Sequence, residues 1–262
     1  MMKPAPVKVM VEKSGPVTTV ILNRPEVRNA VDYETAQMLK SAFQEFEADD
    51  SQSAAVLCGT GETFCGGYDL KFLAGGNLDS IYQPEGEGPL GVSRMLLKKP
   101  VIAAVEGYAV AGGLELTLWC DLRVASSTAQ FGVFCRRWGV PLVDGGTVRL
   151  SRLIGHSRAL DMILTGRAVG AEEALSFGLA NRVVAAGQAR AAAQELAADI
   201  SRFPQLCLRT DRMSSYVQWG LSLAQALVNE GREGAKPLFA EAKHGAARFA
   251  GGKGRGGDFS SF

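Results

Sequence analysis

The stretch KPVIAAVEGYAVAGGLELTLWCDLRVAS, residues 99 to 126, decides how this chain is built. After its Lys-Pro opening, VIAAVEG (101 to 107) reads as a buried strand, YAVAGG (108 to 113) as a small-residue turn and LELTLWC (114 to 120) as a helix, before DLRVAS (121 to 126) becomes extended again. The same rhythm precedes it. AAVLCG (54 to 59) reads as a strand and GETFCGGYDL (61 to 70) as a loop entering a helix, while the glycine- and polar-rich residues 74 to 91 read as a surface excursion. Earlier still, VTTVIL (17 to 22) is a strand stopped by Asn23-Arg24-Pro25. Leu39, Ala42, Phe43 and Phe46 then mark one face of a helix that Asn29 or Asp32 can cap. Each unit has to bury its apolar face on a neighbour, which predicts an α/β fold of stacked β-β-α turns with parallel strands.

Beyond about Gly155 the alphabet shifts to Ala, Leu, Glu and Arg, with helical stretches at 156 to 165, 171 to 177, 188 to 202 and 205 to 246. Apolar positions there, such as Trp219, Leu221, Leu227 and Leu238, serve either a core of that region or a subunit interface. The tail GGKGRGGDF (251 to 259) holds a fixed shape only if docked.

Composition narrows the function. With 28 Lys plus Arg against 27 Asp plus Glu, the net charge of +1 lacks the basic excess of a nucleic-acid binder. Five scattered cysteines without a CxxC pair, and two distant histidines, predict reduced thiols and no zinc site. MMKPAPVKVM lacks the apolar run of a secretory signal, and Glu106 and Glu115 interrupt the most hydrophobic later stretch, 101 to 120. A soluble, cytoplasmic protein that does not enter membranes is expected. At 262 residues, a chain can bury roughly three quarters of its unfolded surface and needs no disulfide or metal to fold.

Two segments, GGYDL (66 to 70) and AGGLE (111 to 115), set small residues between a buried strand and a helix. The first amides of a helix have no partner within it and lie at the positive end of its dipole, and glycine permits close approach. Singly, such glycines serve tight strand-to-helix packing. Together, converging amides of Tyr68 and Gly112 would suit a carbonyl oxygen that gains negative charge. GTGETF (59 to 64) fails as a dinucleotide fingerprint because Phe64 stands where the third glycine belongs. Neither His156 nor His244 lies in a nucleophile motif.

On LNRPEVRNA (22 to 30), TFCGGYDL (63 to 70), KPVIAAVEGYAVAGGLEL (99 to 116), CDLRVAS (120 to 126) and GGTVRLSRLIG (145 to 155), the chain resembles the enoyl-CoA hydratase/isomerase, or crotonase, superfamily. The resemblance implies a crotonase-like (ClpP/crotonase) spiral of β-β-α units over residues 1 to 200. It also implies a C-terminal helical region, 201 to 262, that builds a homotrimer or a dimer of trimers. It further implies an acyl-CoA or enoyl-CoA substrate whose enolate is held by the Tyr68 and Gly112 amides, with no cofactor, since coenzyme A enters as part of the substrate. Gly67, Tyr68, Asp69, Leu70 and Lys71 would line the CoA channel, with Arg24 or Arg28 near its phosphates.

Glu115 matches the first of the two glutamates that serve the hydratases. Its place in a first helical turn also suits a cap or the dipole, and it stands where a general base is required. The position of the second glutamate holds Cys135, a poor substitute for a carboxylic acid and an ordinary small buried hydrophobe. Asp144 is either the compensating carboxylate or a turn and cap residue ahead of Thr147. Arg136, Arg137 and Trp138 either shape an acyl pocket or pack at the surface. Hydration, double-bond isomerisation, and thioester or carbon-carbon cleavage all use the same oxyanion. The alternatives are a CoA-thioester-binding protein with little hydratase activity and a CoA-thioester hydrolase.

Overall fold

Strands buried along almost their whole length form the centre of the fold in a computed structural model that describes residues 7–76, 82–254 and 256. The chain divides into two compact units, residues 1–197 and 198–262. In the first, β2 (Val17–Leu22), β3 (Ala54–Gly59), β4 (Val101–Val105), β6 (Leu122–Ser126) and β9 (Arg182–Val184) pair side by side in parallel. β1 (Val9–Ser14) adds antiparallel to β2 at the edge. Parallel strands covered on both faces need near-continuous β-branched and apolar residues, and VTTVIL, AAVLC and VIAAV supply them.

A second, smaller layer holds the turns together. β5 (Tyr108–Val110) pairs in parallel with β7 (Gln130–Gly132), and β7 pairs antiparallel with β8 (Val169–Gly170). Isolated bridges carry this ladder back through the earlier turns, Cys65 to Ala109 and Val31 to Tyr68, both parallel. YAVAGG is therefore not a turn throughout. Its first three residues are β5, drawn into a strand by pairing with β7, and the reversal falls on Ala111 alone, at φ 54° and ψ −124°. α3 (Gly112–Trp119) starts directly after it, and all eight of its residues are buried, which explains why Glu115 and Thr117 are its only polar side chains.

α1 (Tyr33–Ala48) is capped by Asp32, whose carboxylate accepts the Thr35 amide at 2.8 Å. Asn29, at φ 53°, ties loops together instead, its Nδ2 donating to the carbonyls of Thr60 (2.9 Å) and Thr63 (2.7 Å). α2 (Leu70–Gly75) is capped by Asp69, which accepts the amides of Lys71 (3.0 Å) and Phe72 (3.2 Å). The expected surface excursion over 74 to 91 includes residues 77–81, outside the described residues, and its far end is not at the surface: Leu90 is fully buried, followed by Val92 and Ser93. α4 (Gly146–Ile154), α5 (His156–Thr165), α6 (Ala171–Phe177) and α7 (Ala189–Ser201) follow.

The second unit contains α8 (Gln205–Val217), α9 (Leu223–Pro237) and α10 (Lys243–Ala250). The stretch expected as one helix over 205 to 246 breaks at a 3-10 turn, Gln218–Gly220, and restarts from a capping box at Ser222 and Gln225. Past Pro237 the chain passes through a π-helical turn, Leu238–Ala242, and Glu241 there accepts the amides of Leu206 (3.2 Å) and Cys207 (2.9 Å) at the start of α8. Trp219, Leu223, Leu227, Leu238 and Phe239 are exposed. Most of the tail, residue 255 and residues 257–262, lies outside the described residues. Among the described residues no helix is long and apolar enough to cross a membrane.

Candidate active site

The strand ladder fixes the first pair of functional groups. Cys65 and Ala109 are partners in a parallel bridge, and from it the two chains run on to Tyr68 and to Gly112. The backbones meet there. A Cβ on Gly67, which stands at φ +102°, would lie 2.9 Å from the Gly112 nitrogen, and one on Gly113 would lie 2.1 Å from the Cys65 carbonyl oxygen. Only glycine allows this approach. Tyr68 and Gly112 line one cavity of about 410 Å³. Their neighbours' amides are taken, Asp69 by Val31 and Ala111 by Gly132, both through carbonyls. No acceptor among the described residues takes the Tyr68 or Gly112 amide.

Glu115, one turn into α3, and Asp144, just before α4, line the same cavity, each 3% exposed. Glu115 Oε1 accepts the amides of Asp144 and Gly146, both at 2.9 Å. Asp144 Oδ1 accepts the Ser93 hydroxyl and the Leu90 amide, the latter at 3.2 Å. Each carboxyl is thus anchored through one oxygen, and Glu115 Oε2 and Asp144 Oδ2 have no protein donor among the described residues. Burial, then the charge of Asp144, raises the Glu115 carboxyl to about 7 against the pull of its two amide donors. Burial raises Asp144 too, opposed by Ser93, Leu90 and the Arg94 and Arg149 guanidiniums. Asp144 does not cap α4. The N-cap is Gly145, with no side-chain cap hydrogen bond.

Cys135 is buried in a 3-10 turn, Phe134–Trp138, on the cavity wall, and burial followed by the Glu115 charge pushes its thiol up. A second cavity of about 790 Å³ shares Gly66, Tyr68, Leu70, Phe134 and Trp138 with the first. Arg28, Asp69, Lys71 and Arg137 also line it, and Trp138 is 69% exposed at its rim. Arg137 stacks over the Phe134 ring at 4.4 Å, while Arg136 donates to the Ile163 carbonyl at 3.1 Å. Arg24 lines neither cavity. Its guanidinium is held between Asp32 and Asp69, each at 3.1 Å, and it also donates to the Ala30 carbonyl. Of the two arginines weighed for phosphate contact, only Arg28 borders the cavity.

Leu90 and Ser93, which donate to Asp144 Oδ1, and Arg94, which donates to the Val143 carbonyl, carry no motif, whereas Arg149, which donates to the Asp144 carbonyl, lies in GGTVRLSRLIG. Ser93 sits in PLGVSRM, where the one sequence signal is a return of apolar Leu90 and Val92 after a polar run.

Comparison with known proteins places the family. Residues 12–249 match the family model described as enoyl-CoA hydratase/isomerase. Enoyl-CoA hydratase EchA19 of Mycobacterium tuberculosis is 38% identical over 196 residues, covering 73% of this chain and 74% of that protein. The short-chain-enoyl-CoA hydratase of Clostridium acetobutylicum is 40% identical over 196 residues, covering 72% and 73%. The crystal structure of enoyl-CoA hydratase EchA1 from Mycobacterium marinum matches with a TM-score of 0.86 at 34% identity, over 93% of this chain and 95% of that one. Coil, cavity and sequence agree, and the chain belongs to the enoyl-CoA hydratase/isomerase family, with the crotonase fold.

Proposed function

We propose that this acyl-CoA enzyme adds water to an enoyl-CoA, with the Tyr68 and Gly112 amides holding the thioester oxygen and Glu115 and Asp144 handling the water. The observation that carries the reading is the pairing of two buried carboxyls, each open through one oxygen, in the cavity lined by two unpaired amides. The carboxylates of Glu115 and Asp144 accept hydrogen bonds from one water. Glu115 takes a proton from it as its oxygen bonds to Cβ, and the π electrons move onto the thioester oxygen to give the enolate. The amides stabilise that charge, and Glu115 returns the proton to Cα. A donor of this kind contributes roughly 100- to 1000-fold in rate.

Arg28, Lys71 and Arg137, around the second cavity, suit the phosphates of CoA, and Trp138 and Tyr108 offer flat apolar faces for its base. The backbone at Gly67 lets the two turns meet, and Asp69 and Leu70 form the wall between nucleotide and acyl regions. The exposed apolar residues of the second unit suit assembly as a trimer or a pair of trimers. Five unpaired cysteines suit the reducing cytoplasm, and no cofactor beyond the CoA of the substrate enters the steps.

Double-bond isomerisation is a second reading, favoured by Cys135: it puts a protonated thiol where a second acceptor for water would stand, and an isomerase needs only one carboxylate to move a proton between carbons. Steady-state assays on crotonyl-CoA, longer 2-enoyl-CoAs and 3-enoyl-CoA test both. Hydration is expected, falling about 10²- to 10⁴-fold in Glu115→Gln. Undiminished turnover in that variant would remove Glu115 as the base; conversion of 3-enoyl-CoA alone would favour isomerisation; and tight binding without turnover on every thioester would leave a binding protein.

A further inference from the structure

Glu115 is held by main-chain amides alone, whereas Asp144 depends on a side chain. The Ser93 hydroxyl donates to Asp144 Oδ1, beside the Leu90 amide, so Oδ1 is engaged twice, while Oδ2 has no protein donor among the described residues. Ser93 is fully buried, with no other use for its hydroxyl among the described residues. Its carbonyl accepts Arg149 Nη2 at 2.6 Å, and Arg149 Nη1 donates to the Asp144 carbonyl at 3.0 Å, so one guanidinium clamps both main chains. The space is cut to fit. Gly88 stands at φ +80°, and a Cβ there would lie 2.6 Å from Asp144 Oδ1 and 2.7 Å from the Ser93 hydroxyl. The Leu90 side chain of the same segment packs on Gly112, 3.2 Å from where a Cβ would stand.

We infer that Ser93 is a positioning residue for the water-adding step, fixing Asp144 with Oδ2 turned to the cavity as an acceptor. This rests on the role proposed above for Asp144. The groups that face Asp144 are Glu115 from α3, Arg149 from α4, Arg94 from the segment that carries Ser93, and Tyr68 from the loop before α2. Replacing Ser93 adds or removes no charge among them. A hydrogen bond to a charged group has a net effect of about 10- to 100-fold on an equilibrium or rate.

The test is a double-mutant cycle on crotonyl-CoA hydration with Ser93→Ala, Asp144→Asn and the two combined, each checked for thermal unfolding. Expected is a loss of about 10- to 100-fold in kcat for Ser93→Ala with KM little changed, recovery of most of it in Ser93→Thr, and no further loss when Ser93→Ala is added to Asp144→Asn. Additive losses, or wild-type kcat in Ser93→Ala while Asp144→Asn is impaired, would overturn the inference alone. Wild-type kcat in Asp144→Asn would instead overturn the role of Asp144 on which it rests. If Ser93→Ala unfolds, Ser93→Cys, of nearly the same volume and a weaker donor, replaces it with the same two readings.

Discussion

At the scale of single residues, the proposed chemistry turns on a carboxyl whose titration burial moves from the ordinary carboxylate range toward neutrality. Glu115 is raised to about 7, first by burial and then by Asp144. A general base must be ionised, so kcat/KM for hydration is expected to rise as pH climbs through about 7, and the ascending limb is expected to vanish in Glu115→Gln; a flat profile from pH 5 to 9 in the wild type would count against it. Stability runs the opposite way. A carboxyl raised on folding favours the native state in full below its unfolded value of 4.5, and that contribution is lost as pH rises through about 7. Chemical denaturation should therefore show Glu115→Gln gaining on the wild type, by on the order of 3 kcal/mol, between pH 4 and pH 8. Glu115 and Asp144 were both legible in the sequence, one from its place after AGG and the other from its place before a glycine pair. Their surroundings were not, because a cap and a buried cavity carboxyl begin with the same residue type and part only in what each oxygen meets. Ser93 was illegible for a related reason: a buried serine joined to a residue far along the chain leaves no local pattern.

At the scale of elements, the turns that carry Gly67 and Gly112 come together where the short strands of the second layer keep register with one another. The sequence already shows the glycines of the two turns, and Cys65 to Ala109 pairing brings the turns together. What pattern reading misplaced was β5, taken as a turn because three small or aromatic residues ahead of a glycine pair resemble one; only the neighbouring β7 makes them a strand. Ala111 completes the device. At φ 54° and ψ −124° it holds a conformation that costs a non-glycine residue about 1–3 kcal/mol, maintained by packing around it. Gly67→Ala is the sharper test of this scale, since its Cβ would press on the Gly112 nitrogen from 2.9 Å. Expected is a fall in kcat of about 100-fold or more with acyl-CoA still bound, measured by steady-state kinetics and calorimetry. Unchanged kcat would show that the approach of the two turns is not what positions the amides.

At the scale of the whole molecule, the first unit coils strands and helices so that separate turns supply separate parts of one site, while the second unit presents apolar side chains. The compositional shift near Gly155 announced the helices, but the break at Gln218–Gly220 was masked by helix-forming residues on both sides. Exposed Leu223 and Phe239 are 76% and 83% accessible in the single chain, more than a solitary protein ordinarily leaves open, and assembly is the expected reason. Sedimentation should give a particle of about three or six times the 27.8 kDa chain, reduced to the single chain by Leu223→Asp with Phe239→Asp; a wild-type monomer would contradict it. The most direct measurement of the central claim is the carbonyl stretching frequency of a thioester bound in the site, followed by Raman or infrared difference spectroscopy with a slowly reacting enoyl-CoA analogue. Polarisation by the amides of Tyr68 and Gly112 predicts a band shifted to lower frequency in the wild type and in Glu115→Gln, and moved back toward the free thioester in Gly67→Ala. A band at the solution frequency, with the analogue bound to saturation, would contradict it.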